Sequence, residues 1–161
     1  MTTGIILPEF DPFLISFGGF GIRWYALAYI VGLVGGYWIL RREAQRAGPI
    51  DVAGIESLLN YVMLGVILGG RMGFVLFYQP GFYAANPLEI LKIWQGGMAF
   101  HGGLAGVILA MWLFSARRGM SIFTVSDRVG MVVPIGLCLG RLSNFINAEL
   151  YGRATNLPWG M

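Results

Sequence analysis

Long apolar stretches alternate with short polar connections along this chain. Four stretches, residues 24–40, 58–78, 98–114 and 122–139, are almost free of charged side chains. A helix of about 20 apolar residues crosses a bilayer whose hydrocarbon core is about 30 Å thick, and about 17 residues is the lower limit. The pattern therefore predicts four transmembrane helices.

Composition supports a membrane protein. Apolar residues make up 57% of the chain and charged residues 12%, and the mean hydropathy is +0.69. An ordinary soluble domain carries about 25% charged residues. Because Cys138 is the single cysteine, an internal disulfide and a thiolate metal cluster are excluded. We expect an all-α, polytopic transmembrane helix bundle in one integral membrane domain.

Residues 1–21 are too interrupted by proline and glycine to span a membrane. Four phenylalanines recur three or four residues apart in this segment, namely Phe10, Phe13, Phe17 and Phe20. This aromatic stripe predicts an arm that lies at the membrane interface. The alternative is a loop packed on the helix bundle.

The positions of the cations predict the orientation. They concentrate after the first and third spans, as Arg41, Arg42, Arg46, Arg117 and Arg118. The connection between the second and third spans contains only Lys92 as a cation. The positive-inside rule therefore places the loops after the first and third spans in the cytoplasm. The N-terminus, the start of span three and the end of span four then share the outer face. Since the arginines never form a run longer than two, no nucleic-acid surface is expected.

Four features inside the spans and connections predict structural roles. Arg71, near the end of span two, is expected to reach the membrane surface as an interfacial anchor. Asp127 and Arg128 are expected to form an ion pair at a helix end, and residues 79–97 to include a short surface or re-entrant helix ending at Trp94. Glycines at four-residue spacing predict a close helix contact, at Gly65, Gly69 and Gly73.

The densest set of polar residues follows the fourth span. This stretch, the polar cluster, is Gly140-Arg141-Leu142-Ser143-Asn144-Phe145-Ile146-Asn147-Ala148-Glu149-Leu150-Tyr151-Gly152. Polar groups near lipid need partners or a polar ligand, and a guanidinium can hold a phosphate with two hydrogen bonds. Arg141 could instead extend to the surface with Glu149 as its partner, but Asn144 and Asn147 favour ligand binding.

His101 stands in the first turn of span three. Gly102 and Gly103 follow it, so backbone or ligand can come close beside it. A neutral imidazole there could accept a proton near pH 7. The structural alternatives are a histidine that caps the helix or bridges two helices. By the predicted orientation, His101, Tyr25 and the polar cluster share the outer face.

Several stretches in order resemble the bacterial prolipoprotein diacylglyceryl transferases. The polar cluster is similar to the family signature, which reads glycine-arginine-any-small-asparagine-phenylalanine-aliphatic-asparagine-any-glutamate, two further residues and glycine. Ser143 occupies the small position, where glycine or alanine is usual. Residues 68–78, residues 96–104, the segment from Pro8 to Pro12 and the Trp24-Tyr25 pair also agree with the family.

The resemblance implies an enzyme of the bacterial inner membrane whose active site faces the periplasm. Such an enzyme transfers the diacylglyceryl group of phosphatidylglycerol to the lipobox cysteine thiol of a preprolipoprotein. A thioether forms and glycerol phosphate is released. Neither a metal nor a soluble cofactor is implied. The implied partners are phosphatidylglycerol, the preprolipoprotein signal peptide and membrane lipids.

The resemblance also implies roles for individual residues. His101 is expected to act as the general base, and Tyr25 to orient it or the substrate. Arg141 is expected to stabilise the leaving phosphate, with Asn144 holding the head group and Glu149 fixing the guanidinium. The expected catalytic and substrate-binding set is therefore His101, Tyr25, Arg141, Asn144, Asn147, Glu149 and Gly152.

Family members are considerably longer than this chain and have about seven spans. The resemblance covers residues 1–161, which are therefore expected to be an N-terminal portion with about four of those spans and to be inactive alone. The residue pattern by itself leaves two other classes open. One is an inactive membrane scaffold, and the other is a small transporter with an anionic-lipid site.

Overall fold

The computed structural model describes residues 10–11, 13–17, 20–46, 48–150 and 152–153. Predictions that concern residues 1–9, Tyr151 and residues 154–161 lie outside these described residues. The chain divides into two compact units. The first combines Met1–Gly36 with Val132–Met161, and the second is Tyr37–Met131.

The first unit begins with a β-hairpin. Strands β1 (Phe13–Phe17) and β2 (Phe20–Arg23) pair antiparallel, with Phe17 opposite Phe20 and a bulge near the start of β1. Residues 13–17 and 20–23 are therefore strands, whereas the three- to four-residue spacing of the phenylalanines is that of a stripe along a helix. A glycine pair between two apolar runs is a hairpin signal, and Gly18-Gly19 is such a pair. The interfacial location of residues 1–21 stays a prediction.

Two helices contribute to the first unit. Helix α1 (Trp24–Gln45) follows β2 directly, and helix α5 (Ile122–Ile146) ends the described helical structure. A Cβ added to Gly32 would lie 3.3 Å from the Cα of Gly136, and one added to Gly36 would lie 3.3 Å from the Cβ of Val132. Small residues therefore let α1 and α5 approach closely.

The second unit is built on helices α2 (Val52–Phe77) and α4 (Phe100–Arg118), which pack antiparallel. A Cβ added to Gly65 would lie 2.5 Å from the carbonyl oxygen of Gly106, and one added to Gly73 would lie 2.7 Å from the Cα of Gly102. Real Cβ atoms do not approach backbone so closely. The predicted close contact at the spaced glycines is therefore confirmed.

The arginine-bearing connections meet at one end of the second unit. Asp51 caps α2 by accepting from the amide of Gly54, and it accepts from Arg118 Nη1 at 2.6 Å. The Arg118 guanidinium holds the pKa of the Asp51 carboxyl below its usual range. Arg128 of α5 pairs with Glu43 of α1 at 3.0 Å. The connections after α1 and α4 therefore lie at the same end of the second unit, and their placement on one side of the membrane stays a prediction.

The ion pair predicted between Asp127 and Arg128 is wrong. Adjacent residues on a helix point in different directions, so their charged ends do not face each other. Arg128 instead pairs with Glu43, which lies far away in the sequence.

Among the described residues, three helices are long and apolar enough to cross a membrane. They are α2, α4 and α5, with mean hydropathies of 1.7, 1.2 and 1.6. The predicted all-α, membrane-spanning class is thereby confirmed. Helix α1 is outside this set, because glycine and aromatic residues dilute its apolar residues and Arg41 and Arg42 lie near its end. Its crossing of the membrane stays a prediction.

The connection between α2 and α4 is helical in short pieces. Helix α3 (Pro80–Ala85) is followed by two 3₁₀ segments, Pro87–Leu91 and Ile93–Gln95. The prediction of a short helix here is confirmed, although there are several pieces rather than one. Its placement at the surface or inside the membrane stays a prediction.

Candidate functional site

The polar cluster begins on a helix rather than after one. Helix α5 continues to Ile146, beyond the predicted end of the span at residue 139, because helical hydrogen bonding does not stop where the apolar stretch does. Arg141 and Asn144 are three residues apart and so lie on the same side of the helix. Arg141 is exposed, whereas Asn144 is 8% exposed.

The chain after α5 adopts a strained turn. Ala148 has φ 52° and Leu150 has φ 55°, both in the left-handed region. This conformation costs a non-glycine residue about 1–2 kcal/mol. Backbone bonds hold the turn, since the Asn147 amide donates to the Ser143 carbonyl at 3.0 Å and the Glu149 amide to the Asn144 carbonyl at 2.8 Å. Strain of this kind concentrates at functional sites.

Two carboxamides of this turn have weak or missing hydrogen-bond partners. Asn144 Nδ2 lies 3.5 Å from Glu149 Oε2, a long hydrogen bond. Asn147 Oδ1 is buried and has no partner among the described residues. Among the described residues, the side chain of Arg141 forms neither an ion pair nor a hydrogen bond. The expected contact of Glu149 with Arg141 is therefore absent, because the Glu149 backbone folds back onto Asn144.

The small residue of the signature connects α5 to the start of α1. Ser143 is buried, and its hydroxyl donates to the Leu139 carbonyl at 3.1 Å and to the Trp24 carbonyl at 3.5 Å. Tyr25 is the next residue, and its ring lies 5.1 Å from that of Tyr29. The first unit thus brings the Tyr25 backbone close to the polar cluster.

The N-terminal segment also contacts this region. Trp24 Nε1 donates to the Asp11 carbonyl at 3.1 Å, and the ring of Phe10 lies 6.4 Å from that of Phe145. The segment that precedes β1 therefore packs against the helix that carries the polar cluster. These contacts fit the alternative of an arm packed on helices.

His101 lies in the first turn of α4, in the second unit. Its imidazole is exposed, and its ring lies 5.5 Å from the ring of Phe100 in an edge-to-face arrangement. The predicted close approach of backbone beside it is confirmed, because Gly102 packs against the backbone of Gly69 and Gly73. An exposed imidazole at a helix start can exchange a proton with a substrate.

Arg71 has a structural role that differs from the predicted interfacial anchor. Its side chain is 4% exposed, and all five N–H groups of the guanidinium donate to backbone carbonyls. The acceptors are the carbonyls of Glu89 (2.6 Å), Ile90 (2.8 Å), Lys92 (3.4 Å), Gly96 (2.6 Å) and Gly97 (3.2 Å). The predicted interfacial anchor is therefore wrong, since the irregular connection after α2 folds over this cation and supplies free carbonyls to it.

The Gly96-Gly97 pair is the feature of the sequence that could have indicated this arrangement. Gly96 has φ 84° and Gly97 has φ 79°, and a Cβ added to Gly97 would lie 2.8 Å from Arg71 Nη1. The Gly96-Gly97 pair thus lets the backbone approach the guanidinium. The Ala99 amide then donates to the Gly70 carbonyl at 2.9 Å, which fixes the start of α4 two residues before His101.

Comparison with known proteins decides the family. The family described as prolipoprotein diacylglyceryl transferase matches residues 12–161. The chain belongs to this family. The resemblance proposed from the polar cluster is therefore confirmed.

Curated relatives extend the match to the whole chain. The phosphatidylglycerol–prolipoprotein diacylglyceryl transferase of Rhodospirillum rubrum is 51% identical over 164 residues, which cover 100% of this chain and 60% of the relative. The proteins of the same name from Ruegeria pomeroyi and Bordetella avium are 52% and 49% identical, over 96% of this chain and 56% and 59% of their own lengths. The chain thus spans about 60% of the length of these transferases.

Within this member of the transferase family, the predicted site residues fall into two sets. His101 belongs to the second unit. The first unit contains Tyr25, Arg141, Asn144, Asn147, Glu149 and Gly152. Gly152 is exposed, and a Cβ added to it would meet no neighbour among the described residues within 4 Å.

Proposed function

We propose that this chain supplies catalytic and lipid-binding residues for transfer of the diacylglyceryl group of phosphatidylglycerol to a preprolipoprotein cysteine. The names of the relatives specify phosphatidylglycerol, prolipoprotein and diacylglyceryl transfer. The observation that carries the proposal is Arg141, whose guanidinium is exposed beside a strained polar turn with its N–H groups unused by the described residues. Membership of the family favours this function over a scaffold or a transporter.

The leaving group sets the first chemical demand. The bond between the glyceryl carbon and the phosphate oxygen breaks, and its electron pair passes to the phosphate. Arg141 can stabilise the developing charge with two parallel hydrogen bonds. Asn144 lies beside it to contact the head group, and the unpartnered Oδ1 of Asn147 can accept from a glycerol hydroxyl. Glu149 acts here by holding Asn144, and Gly152 leaves room for the lipid.

The nucleophile sets the second demand. A thiol reacts as its thiolate, so the lipobox cysteine must lose a proton. His101 accepts this proton, and the sulfur then forms a bond to the glyceryl carbon as glycerol phosphate departs. Tyr25 orients the substrate or the imidazole. The product is a thioether, and no metal or soluble cofactor takes part.

The expected cellular setting is the bacterial inner membrane. Within the second unit, His101 is at the start of α4 and Arg117 and Arg118 are at its end. If the arginine-rich end is cytoplasmic by the positive-inside rule, His101 faces the periplasm. A signal peptide carrying the lipobox cysteine, the second proposed substrate, would be reached at that face.

A chimera tests the proposal. This chain replaces the matching N-terminal part of the Rhodospirillum rubrum relative, and lipidation of a test preprolipoprotein is measured by mass spectrometry. We expect Arg141→Gln to slow transfer by about 10²-fold or more, because one donor to a developing anion contributes that much. His101→Gln should slow it by about 10²-fold or more through loss of the general base.

The control is Arg117→Gln, which removes an exposed cation that contacts Tyr61 far from the polar cluster in sequence. It should leave the rate within about twofold of the unsubstituted chimera, as expected for a surface change. Full lipidation by the Arg141→Gln chimera would overturn the proposed role of Arg141. The chain alone is expected to be inactive as a transferase. Substrate flux through the chain in liposomes would favour the transporter alternative.

A further inference from the structure

The second unit contains a basic cleft of about 500 Å³. The end of α1, the connection to α2 and one residue of α5 form its walls. Its charged lining residues are Arg42, Glu43, Arg46 and Arg128, which give it a net charge of +2. A cation-rich concavity of this size can hold an anionic group.

The arginines of the cleft have unused hydrogen-bond donors. The guanidinium of Arg42 lies 3.9 Å from the ring centre of Trp38, which holds it in place without using its N–H groups. Arg128 Nη1 pairs with Glu43, but Arg128 Nε is buried and lacks a partner among the described residues. In the described structure, no carboxylate pairs with Arg42 or Arg46. Buried donors are normally satisfied, so the free Nε indicates a missing acceptor.

The position of the cleft separates it from His101. Gly48 and Pro49 line it and lead into Asp51, which is paired with Arg118 at the end of α4. His101 lies at the start of the same helix, and a helix of 19 residues is about 28 Å long. Within the second unit, the cleft and the imidazole therefore lie about one hydrocarbon thickness apart.

The walls favour an amphiphile over a free anion. Trp38 is half exposed and lines the cleft with Ile39, so an apolar wall adjoins the arginines. Tryptophan and arginine together are typical of the level at which lipid head groups lie. Basic pockets between membrane helices on the cytoplasmic side bind anionic head groups. A free phosphate would make no use of the apolar wall.

We propose that this cleft binds the phosphate of an anionic phospholipid at the membrane boundary remote from His101. The site performs no chemistry and does not depend on the proposed transferase activity. Arg42, Arg46 and the Nε of Arg128 donate to the phosphate oxygens, and the acyl chains run past Trp38 and Ile39. The bound lipid completes the hydrogen bonding of Arg128.

The test measures lipid binding to the purified chain in nanodiscs of phosphatidylcholine with increasing phosphatidylglycerol, by native mass spectrometry. All variants carry Arg141→Gln, so that the polar cluster does not contribute. The double variant Arg46→Gln/Arg128→Gln should weaken phosphatidylglycerol binding at least about tenfold, as expected for the loss of charged hydrogen bonds to the phosphate. The matched pair Arg41→Gln/Arg117→Gln removes the same charge outside the cleft and should retain binding. An equal loss in both pairs would overturn the site.

A second variant separates binding from folding. Glu43→Gln breaks the same ion pair as Arg128→Gln, but it removes the acidic residue of the cleft and frees Arg128 Nη1. The proposal predicts that Glu43→Gln binds phosphatidylglycerol at least as tightly as the unsubstituted cleft. A purely structural ion pair predicts a loss in both variants, and that result would overturn the proposal.

A final arm distinguishes the source of the phosphate. Inorganic phosphate is added to the chain in nanodiscs of phosphatidylcholine alone, and bound phosphate is counted in the same way. The proposal predicts no bound phosphate. The assignment to a lipid would be overturned by two results together. One is binding of inorganic phosphate that requires Arg46 and Arg128, and the other is equal binding of phosphatidylglycerol and phosphatidylcholine.

Discussion

Arg71 and Arg141 both lie in the second half of a long apolar helix, yet their surroundings are opposite. Arg71 is buried in the second unit, and five backbone carbonyls accept from its guanidinium. Arg141 is exposed in the first unit and has no partner within the described structure. The first cation organises a connection, and the second is free to bind.

This difference shows how a cation in a membrane protein can be assigned a role. A buried guanidinium whose N–H groups all have acceptors cannot also bind a ligand. An exposed guanidinium beside a strained turn with an unpartnered amide oxygen retains its donors for an anion. The partners of each arginine, rather than its position along the helix, thus distinguish a structural cation from one that can bind a ligand.

Substitution of Arg71 should have the largest effect on the stability of the chain. Arg71→Met should lower the free energy of unfolding by about 3 kcal/mol, because several partly buried carbonyls lose their donor. Arg71→Lys should recover only part of this, since an ammonium has three donors and no planar fork. Unfolding in mixed micelles measures the loss, and hydrogen exchange should increase in residues 86–97. A stability equal to that of the unsubstituted chain would remove the structural role of Arg71.

The helix contact beside Arg71 should give the next largest effect. Gly65→Ala places a Cβ against the Gly106 backbone and should cost about 1–3 kcal/mol of stability through overpacking. The control is Gly130→Ala in α5, where a Cβ would meet no described neighbour within 4 Å. Because alanine favours helices, the control should be neutral or slightly stabilising. Equal effects in the two variants would contradict a tight α2–α4 contact.

A third arginine, Arg118, provides an intermediate case with a carboxylate partner. Its guanidinium lowers the pKa of Asp51, so the pair stabilises the fold above the unfolded value of about 3.9. This stabilisation is lost as the pH falls through the lower pKa of the folded state. The unfolding midpoint should therefore fall in acid, and Asp51→Asn should flatten that slope while keeping the helix cap. An unchanged slope in Asp51→Asn would show that the exposed pair contributes nothing.

The smallest effect on stability should be that of Arg141→Gln. An exposed side chain without a partner contributes little, so the free energy of unfolding should change by no more than about 0.5 kcal/mol. The same unfolding experiment checks it beside Arg71→Met. A loss as large as that of Arg71→Met would mean that Arg141 is also structural, and the contrast between the two arginines would fail.

Much of the fold could be predicted from sequence because its causes are local. The length of an apolar stretch determines whether a helix can span, and the spacing of Gly65, Gly69 and Gly73 determines which face packs closely. The end of α5 was placed too early, since helical hydrogen bonding continues beyond the residues that lipid would cover. The sequence does not predict the hairpin, because a glycine pair both interrupts a membrane span and serves as a hairpin turn.

Only part of the candidate site could be predicted from the sequence. The resemblance gave the residues of the polar cluster, but it did not indicate that Glu149 would contact Asn144. Arg71 and Arg128 were misassigned for a common reason. Their partners are remote in sequence, and the partners of Arg71 are backbone carbonyls, which every residue type possesses.

Phosphatidylglycerol binding by the chain tests the assignment of Arg141 most directly. The measurement uses native mass spectrometry in nanodiscs, with Arg46→Gln/Arg128→Gln present throughout so that the basic cleft does not contribute. We predict that adding Arg141→Gln weakens phosphatidylglycerol binding at least about tenfold, as expected for loss of a charged hydrogen bond, and leaves phosphatidylcholine binding unchanged. Equal phosphatidylglycerol affinity with and without Arg141→Gln would contradict the account.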